Sequence, residues 1–408
     1  RPRSHDEIAE AVVAVGSDIL RGRARPGAVE IPIDLQHRRG DADVPAPRVP
    51  TPAAPDVSAI AAALAGAERP LIWAGGGVVA ARAHTELTAV AERVQAPVLT
   101  SIEGRGSIPE DHPLSVGANS DQSATDELIA GADVVLAIGT RFRQDNTVHS
   151  ALTIPGRLLH IDIDPMTLGR VHPADVMLLA DAGAALRALL AAVGAATHDE
   201  WVAQAAAVRQ RVDADVRSQI GPDHERMLDC IRRELPRDGV VVKDVTIAAY
   251  LWGNRLLECY EPGTAIRPSS MAIGPGLPLA IGAAVGTGRP TVVIHGDGGI
   301  MLTIGELASA VQARVPLVVV VLNDGGYGIL RYIQDGAMGG RRTGVDLATP
   351  DFAALARSMG MAGERVEDAG QFEEMFPPAV APGEPWLLDV DITKMAPLTI
   401  VPQRPATR

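Results

Sequence analysis

Apolar residues run through this chain in short, nearly unbroken blocks, separated by longer stretches in which they recur at helical spacing. The first blocks are Leu71–Val78 (LIWAGGGV), Ala96–Ser101, Ala132–Thr140 and Leu158–Asp164. Blocks of this length and uniformity predict strands covered on both faces, because half-exposed strands alternate instead. Helical spacing fills the gaps from Ala81 to Val94 and from Ala182 to Val193. A second series follows: helix Glu225–Leu235, strand Val240–Lys243, helix Leu277–Val285, strand Thr291–His295, helix Ile304–Val311, strand Leu317–Leu322, helix Asp351–Met359 and strand Trp386–Val390. Strand–helix alternation of this kind predicts parallel sheets clothed by helices. The fold class is therefore α/β, with two successive parallel-sheet, three-layer domains joined by a polar, helix-compatible connector over about 197–219.

Ahead of the first series, Ser4 and Glu7 form a capping pattern before Ile8, Ala11, Val12 and Val15, which predicts a helix. Gly27–Leu35 (GAVEIPIDL) predicts a short strand containing a proline. One helix and one strand bury little by themselves, so they read as the end of a preceding unit. Residues 36–55 shift to charge and proline and predict an extended linker. The chain opens on Arg1 rather than Met, and is read as part of a longer product. The proline-containing stretch after Ile392 is predicted to fray.

Composition narrows the classes. Apolar residues make up 47% and charged residues 21% of 408 residues, values of a globular protein. A net charge of −13 argues against nucleic acid and anionic membrane as partners, while leaving room for a local anion site. Cys230 and Cys259 are the two cysteines, too few for a disulfide framework or a cysteine zinc site. The strongest apolar run, Val315–Leu322, falls far short of the roughly 20 residues that span a bilayer. No apolar leader opens the chain, and the expected location is the cytoplasm.

Chemistry concentrates between Gly296 and Gly328, GDGGIMLTIGELASAVQARVPLVVVVLNDGGYG. GDG follows directly on a predicted strand, at the carboxyl end where open α/β sheets place ligands. Twenty-four residues separate Gly298 from Asn323, enough for one helix and the next parallel strand. Asp297 and Asn323 thus come to neighbouring strand tips. A carboxylate and an amide oxygen suit a hard cation such as Mg²⁺, and the glycines let backbone N–H groups approach anionic oxygens. Either GDGG or NDGG alone reads as a tight turn; the two together read as a metal and diphosphate site.

GDG, this gap and then Asn resemble the signature of thiamine-diphosphate enzymes, and LTIGELASAVQARVPLVVVVLN is similar to its counterpart in the acetolactate synthase group. SSMAIGPGLPLAIGAAVG (residues 269–286) resembles the segment that holds the cofactor's aminopyrimidine. Further landmarks are SIEGRGSIPEDHPLSVG (101–117), GTRF (139–142) and HIDIDP (160–165). The resemblance covers about residues 6–390. It implies a remnant of a pyrimidine-binding domain over 1–40, a linker over 41–56, a nucleotide-fold central domain over 57–195, a diphosphate- and Mg²⁺-binding domain over 196–395 and a tail over 396–408. It further implies Mg²⁺ ligation by Asp297, Asn323 and the backbone carbonyl of Gly325. Cofactor contacts would come from Met271, Ile273, Gly274, Asp297, Gly298, Gly299, Asn323, Tyr327 and Gly328, with Ile273 as the apolar wedge that bends the cofactor.

The implied activity is decarboxylation or carboligation of 2-keto acids, in a homodimer or homotetramer. The glutamate that activates the aminopyrimidine belongs to the missing part of the first domain, so no catalytic residue is assigned. Ile333 stands where acetohydroxyacid synthases carry a tryptophan, and Ile247 and Ala248 replace a glutamine–histidine pair; both departures open related 2-keto acid decarboxylases, and an inactive cofactor-binding fragment is a further alternative. FAD is a second cofactor of the family's central domain, with Gly75–Gly77 and Arg141 as its contacts. The segments GANSDQ (117–122) and RFRQD (141–145) depart from the flavin pattern, which favours a structural turn there. A nicotinamide dehydrogenase built on AGGGVVA lacks the acidic residue expected at the end of the second strand, Glu103 being the nearest. Arg341 and Arg342, after GAMGG, read as a lid or a solvated loop; His160, His172 and His295 read as packing residues.

Overall fold

Strands buried along their whole length need cover on both sides, and the computed structural model supplies it twice. It describes residues 1–46, 54–143, 152–381 and 383–399. The first sheet contains β1 (Pro70–Ala74), β2 (Val98–Thr100), β3 (Ser115–Gly117), β4 (Val134–Ile138), β5 (Arg157–Asp162) and β6 (Val176–Leu179), in the order β3-β2-β1-β4-β5-β6. All its pairings are parallel. The second contains β7 (Val240–Lys243), β8 (Ala265–Ile266), β9 (Thr291–Gly296), β10 (Leu317–Asn323), β11 (Ala362–Val366) and β12 (Trp386–Asp391), in the order β11-β12-β10-β9-β7-β8, again parallel throughout. The strands read from continuous apolar blocks are the buried ones. β6 escaped that reading because its residues alternate between half-buried and exposed, and β3 because Ser115–Gly117 holds a single large apolar side chain, Val116.

Each sheet carries two apolar cores, one per face. Ile60, Leu64, Leu87, Val90, Leu186 and Leu189, from helices Ser58–Ala65, His84–Val94 and Ala182–Ala192, cover one face of the first sheet. Leu128 and Ile129 of helix Ser123–Gly131 cover the other with Trp201, Ala205 and Val208. Those last three belong to a helix that runs from Asp199 to Glu234, broken at Gly221 (φ 70°) ahead of Pro222. Farther along it, Val212, Val216, Ile220, Met227 and Ile231 enter a core of the second sheet. The connector over 197–219 is thus a brace shared by two cores. Its mean composition is polar because only one stripe of it is buried, which is how an amphipathic helix of this length reads.

A buried ion pair fastens the units together. Arg105, from the loop after β2, donates through Nε and Nη2 to the two carboxylate oxygens of Glu110 at 2.7 and 2.6 Å. Its remaining donors reach the carbonyls of Gly253 (2.9 Å) and Leu257 (2.6 Å), and Glu110 accepts from Cys259 N–H at 2.9 Å. The side chains are 0% and 3% exposed. Burial alone would push Glu110 up, but the Arg105 charge and hydrogen bonds hold its carboxyl below the usual range.

Three local expectations are corrected. Residues 27–32 form no strand; Pro32 removes a ladder donor and caps a single helical turn, Ile33–Gln36. The preceding helix, His5–Ile19, forms as predicted with Ser4 accepting from Glu7 N–H. The block Leu71–Val78 splits, because β1 ends at Ala74 and Gly76–Ala80 turns helical. The stretch after Ile392 is docked as far as Thr399: Ala396 N–H donates to Asp223, Thr399 N–H donates to Gln219 and Leu398 packs on the second unit's core. Residues 47–53 of the linker and the end of the tail lie outside the described residues. Among the described residues no helix is long and apolar enough to cross a membrane.

Because Arg105→Ala leaves Glu110 buried without its partner, the substitution is expected to cost about 3–5 kcal/mol in chemical denaturation. A loss below about 1 kcal/mol would show that the pair does not hold the units together.

Candidate functional site

Parallel pairing of β9 with β10 sets Leu322 against Gly296. The next residue on each strand is Asn323 and Asp297, so the carboxylate and the amide stand at neighbouring strand tips. Each tip is reached by an amide of the turn after β10. Gly326 N–H donates to Asp297 Oδ2 at 2.8 Å, and Gly325 N–H to Asn323 Oδ1 at 3.3 Å. Asn323 Nδ2 donates to Asp389 Oδ1 at 3.0 Å. That carboxylate is wholly buried on β12, also accepts from Phe352 N–H (3.2 Å) and pairs with Arg365 at 2.7 Å. A carboxylate only accepts, so the Asn323 NH₂ is committed to it and Oδ1 is turned towards the β10 turn.

A cleft of about 580 Å³ opens over these tips. Met271, Ile273, Asp297, Gly298, Gly299, Tyr327 and Gly328 all line it, seven of the ten positions named from the sequence. Asn323 lies beneath the lining, next to Leu322 and Asp324, which do line it. Gly274 does not line the cleft; its N–H donates to Asp244 and its carbonyl accepts from Thr303. The Gly325 carbonyl already accepts from Leu347 N–H (2.8 Å) and from Arg331 Nη2 (2.7 Å), so it meets a cation only by releasing one of them. Ile247 and Ala248 line the cleft, whereas Ile333 is 46% exposed and does not. Arg342 borders the cleft but is held by Asp335 at 2.6 and 2.8 Å, and the predicted lid is in part the end of helix Gly328–Ala337.

Two carboxylates crowd this turn. Burial, and then the charge of Asp324, push the Asp297 carboxyl up to about 6. Burial raises Asp324 as well, against the pull of Arg331 at 3.3 Å. Two crowded carboxylates and an amide oxygen are a hard-oxygen donor set, and the residues present fit a divalent cation such as Mg²⁺. Gly298 and Gly299 bring bare backbone to the same cleft. A Cβ on Gly298 would strike the Tyr327 ring at 2.5 Å, so the backbone and the ring share one tight wall.

Two residues that no sequence pattern marks, Asp244 and His295, lie against Gly276 and Gly299. Asp244 ends the β7 block, and His295 is fully buried on β9 one residue before the GDG turn. Their side chains approach to 3.3 Å at Oδ2 and Nε2, without the alignment of a hydrogen bond. Burial pushes the imidazole down, against the pull of the Asp244 charge. A single acid after VVVK carries no periodic pattern, and only its place at a strand's carboxyl end hinted at a role.

The glycine turn of the first sheet has a local explanation. A Cβ on Gly75 would overlap the Gly139 carbonyl oxygen, and one on Gly77 would meet Gly139 Cα at 2.6 Å. The turns after β1 and β4 pack backbone to backbone, a reason for glycine that needs no nucleotide. Segment 117–122 is directed at the second unit, with Asn119 and Ser120 buried and Arg255 donating to the Ala118 carbonyl at 3.2 Å. Glu103 pairs with Arg267 (2.6 Å) and Arg143 (3.4 Å), and residues 144–145 of the RFRQD segment lie outside the described residues. His160 is satisfied by the Thr140 carbonyl and Gly169 N–H. A larger cleft, about 640 Å³, lies between the N-terminal helix and the end of β5. Its Arg23 and Arg25 pair with Asp164, and none of the predicted cofactor residues line it.

Comparison with known proteins agrees with this geometry. Residues 57–189 match the thiamine pyrophosphate enzyme central domain, and residues 248–390 the thiamine pyrophosphate enzyme C-terminal TPP binding domain. A probable 2-ketoarginine decarboxylase of Pseudomonas aeruginosa is 35% identical over 383 residues, 91% of this chain and 67% of the relative. A probable acetolactate synthase large subunit of Methanocaldococcus jannaschii is 30% identical over 428 residues, 97% and 71% of the two chains. A pyruvate oxidase of Lactiplantibacillus plantarum is 30% identical over 404 residues, 93% and 66%. The chain thus spans about two-thirds of the length of these relatives.

Protons and a cation compete for a carboxylate raised to about 6. Affinity for Mg²⁺ with pyrophosphate, followed by calorimetry, is therefore expected to be level above that pH and to fall by up to about tenfold per unit below it. In the cation-free chain the same raised value means that this group favours folding more as pH drops from 7 towards 4. An affinity unchanged between pH 7.5 and 5 would contradict the assignment of Asp297.

Proposed function

Since this chain belongs to the thiamine pyrophosphate enzymes of the acetolactate synthase-like kind, we propose that the cleft over β9 and β10 binds thiamine diphosphate through Mg²⁺ and serves the decarboxylation or carboligation of 2-keto acids. The observation that carries this reading is the meeting of Asp297 and Asn323 at adjacent strand tips beside glycine backbone. Asp297 and Asn323 Oδ1 would hold the cation, with the Gly325 carbonyl joining once freed. Amides of Gly298 and Gly299 would face the diphosphate. Met271, Ile273 and Gly274 would take the pyrimidine side, and Tyr327 and Gly328 the opposite wall. Bound thiamine diphosphate supplies the electron sink that loss of CO₂ from a 2-keto acid requires. The protein's part is to orient the reactants and to shield the cleft from water.

Two of the relatives are named for a 2-keto acid, 2-ketoarginine in one and pyruvate in the other, which supports that substrate class. A plain decarboxylase is the second reading. It is favoured by Ile247 and Ala248, which give the cleft apolar walls where acetohydroxyacid synthases are expected to place a polar pair. We assign no acid of this cleft to activating the aminopyrimidine; that glutamate is expected in a pyrimidine-binding domain, and the working assembly is read as a homodimer or homotetramer.

In titrations with Mg²⁺ present, Asp297→Ala is expected to weaken thiamine diphosphate by at least about tenfold. Equal affinity in variant and parent would overturn the metal assignment. A longer product carrying the pyrimidine-binding domain is expected to release CO₂ from a 2-keto acid; silence across a broad panel of such acids would count against the reaction.

A further inference from the structure

Asp244 sits at the carboxyl tip of β7, the strand paired with β9 on the side away from β10. Its side chain is 0% exposed. His295 Nε2 stands 3.3 Å from Oδ2 without the alignment of a hydrogen bond, and the adjacent Lys243 donates instead to the Gly253 carbonyl (3.0 Å) and to Asn254 Oδ1 (2.7 Å). Backbone amides surround the carboxylate. Val245 N–H donates to Oδ1 at 2.7 Å, Gly274 N–H to Oδ2 at 2.9 Å and Gly276 N–H to Oδ2 at 2.7 Å. An uncompensated buried carboxylate is costly, and several charge-assisted amide bonds are what make this one tenable.

Two of those amides belong to a loop that does not hold its shape unaided. Met271 (φ 59°) and Gly274 (φ 102°) both lie in the left-handed half of backbone space, and the first of these is unfavourable for a residue with a Cβ. The loop is gripped from two directions. Asp244 takes the Gly274 N–H, and Thr303 Oγ1 donates to the Gly274 carbonyl at 2.9 Å. The other cofactor loop meets the same carboxylate, since a Cβ on Gly299 would lie 3.3 Å from Asp244 Oδ1. Above the clamp, Met271 and Ile273 present themselves to the cleft.

We propose that Asp244 is a positioning residue for cofactor recognition, its carboxylate fixing the 271–276 backbone in the shape that reads the pyrimidine end of the ligand. The inference rests on the thiamine diphosphate reading above and deepens it. Asp244 itself does not line the cleft. It acts through the Gly274 and Gly276 amides, which are hydrogen-bonded to it, whereas it meets the Gly299 backbone by packing alone. Asp244→Asn keeps the size of the side chain but turns an NH₂ towards amide donors, so the loop is released while the strand tips stay in place.

The test is a pair of calorimetric titrations on the full chain with Mg²⁺ present, one with thiamine diphosphate and one with inorganic pyrophosphate. In Asp244→Asn, thiamine diphosphate is expected to weaken by about tenfold or more, with pyrophosphate affinity held within about threefold. Equal losses for both ligands would reduce Asp244 to general structural support, and no loss for either would remove its role; each overturns the proposal while the cofactor reading stands. If the parent binds neither ligand, the cofactor reading falls and this inference with it. Hydrogen exchange on the parent needs no variant. The Gly274 and Gly276 amides are expected to be protected in the cofactor-free chain, and exchange as fast as in an open loop would refute the clamp.

Discussion

One pairing governs the site: β10 beside β9, parallel, with Leu322 opposite Gly296. Parallel strands end together, and their carboxyl tips are where side chains of different strands can converge on one ligand. The register is not free to slip, because all seven residues of β10 are buried and a shift of one would turn each side chain to the wrong face. Asp297 and Asn323 are held side by side by the apolar packing of Val318–Leu322 far more than by any bond between themselves. Convergence has an electrostatic cost. Desolvation and a neighbouring carboxylate raise the proton affinity of Asp297, a tension that a divalent cation at the tip would relieve.

The same logic explains what the amino-acid sequence disclosed. β1, β4, β5, β9, β10 and β12 are continuous apolar blocks because both of their faces are covered, and such blocks are legible without coordinates. Asp297, Gly298, Gly299 and Asn323 were legible because they follow those blocks at a spacing of one helix and one strand. The rest lacked a periodic mark. Helix Asp199–Glu234 looked polar because its buried stripe is shared between two cores. Gly27–Leu35 looked like a strand, but Pro32 deprives it of a ladder donor. Asp244 is one acid after four strand residues, and its importance comes from amides that lie thirty positions away. Likewise, nothing in NDGG shows that Leu347 and Arg331 occupy the Gly325 carbonyl.

The first unit contributes by bracing. Its loop after β2 sends Arg105 and Glu110 into the 253–259 loop, which follows the cleft-lining Ile247 and Ala248. Its own glycine turn is consumed by contact with Gly139. Rigid support from one sheet to a ligand cleft on the other follows from these contacts and from the shared helix, and it gives the first unit a structural role that is independent of any nucleotide.

Joint grip of one cation by the tips of β9 and β10 is what the proposed chemistry requires. A crystal structure of the chain with Mn²⁺ and thiamine diphosphate, with the metal placed by anomalous scattering, addresses it most directly. A single strong peak is expected about 2.2 Å from both an Asp297 carboxylate oxygen and Asn323 Oδ1. A peak bound to one of them alone, or a diphosphate seated away from Gly298 and Gly299, would contradict it.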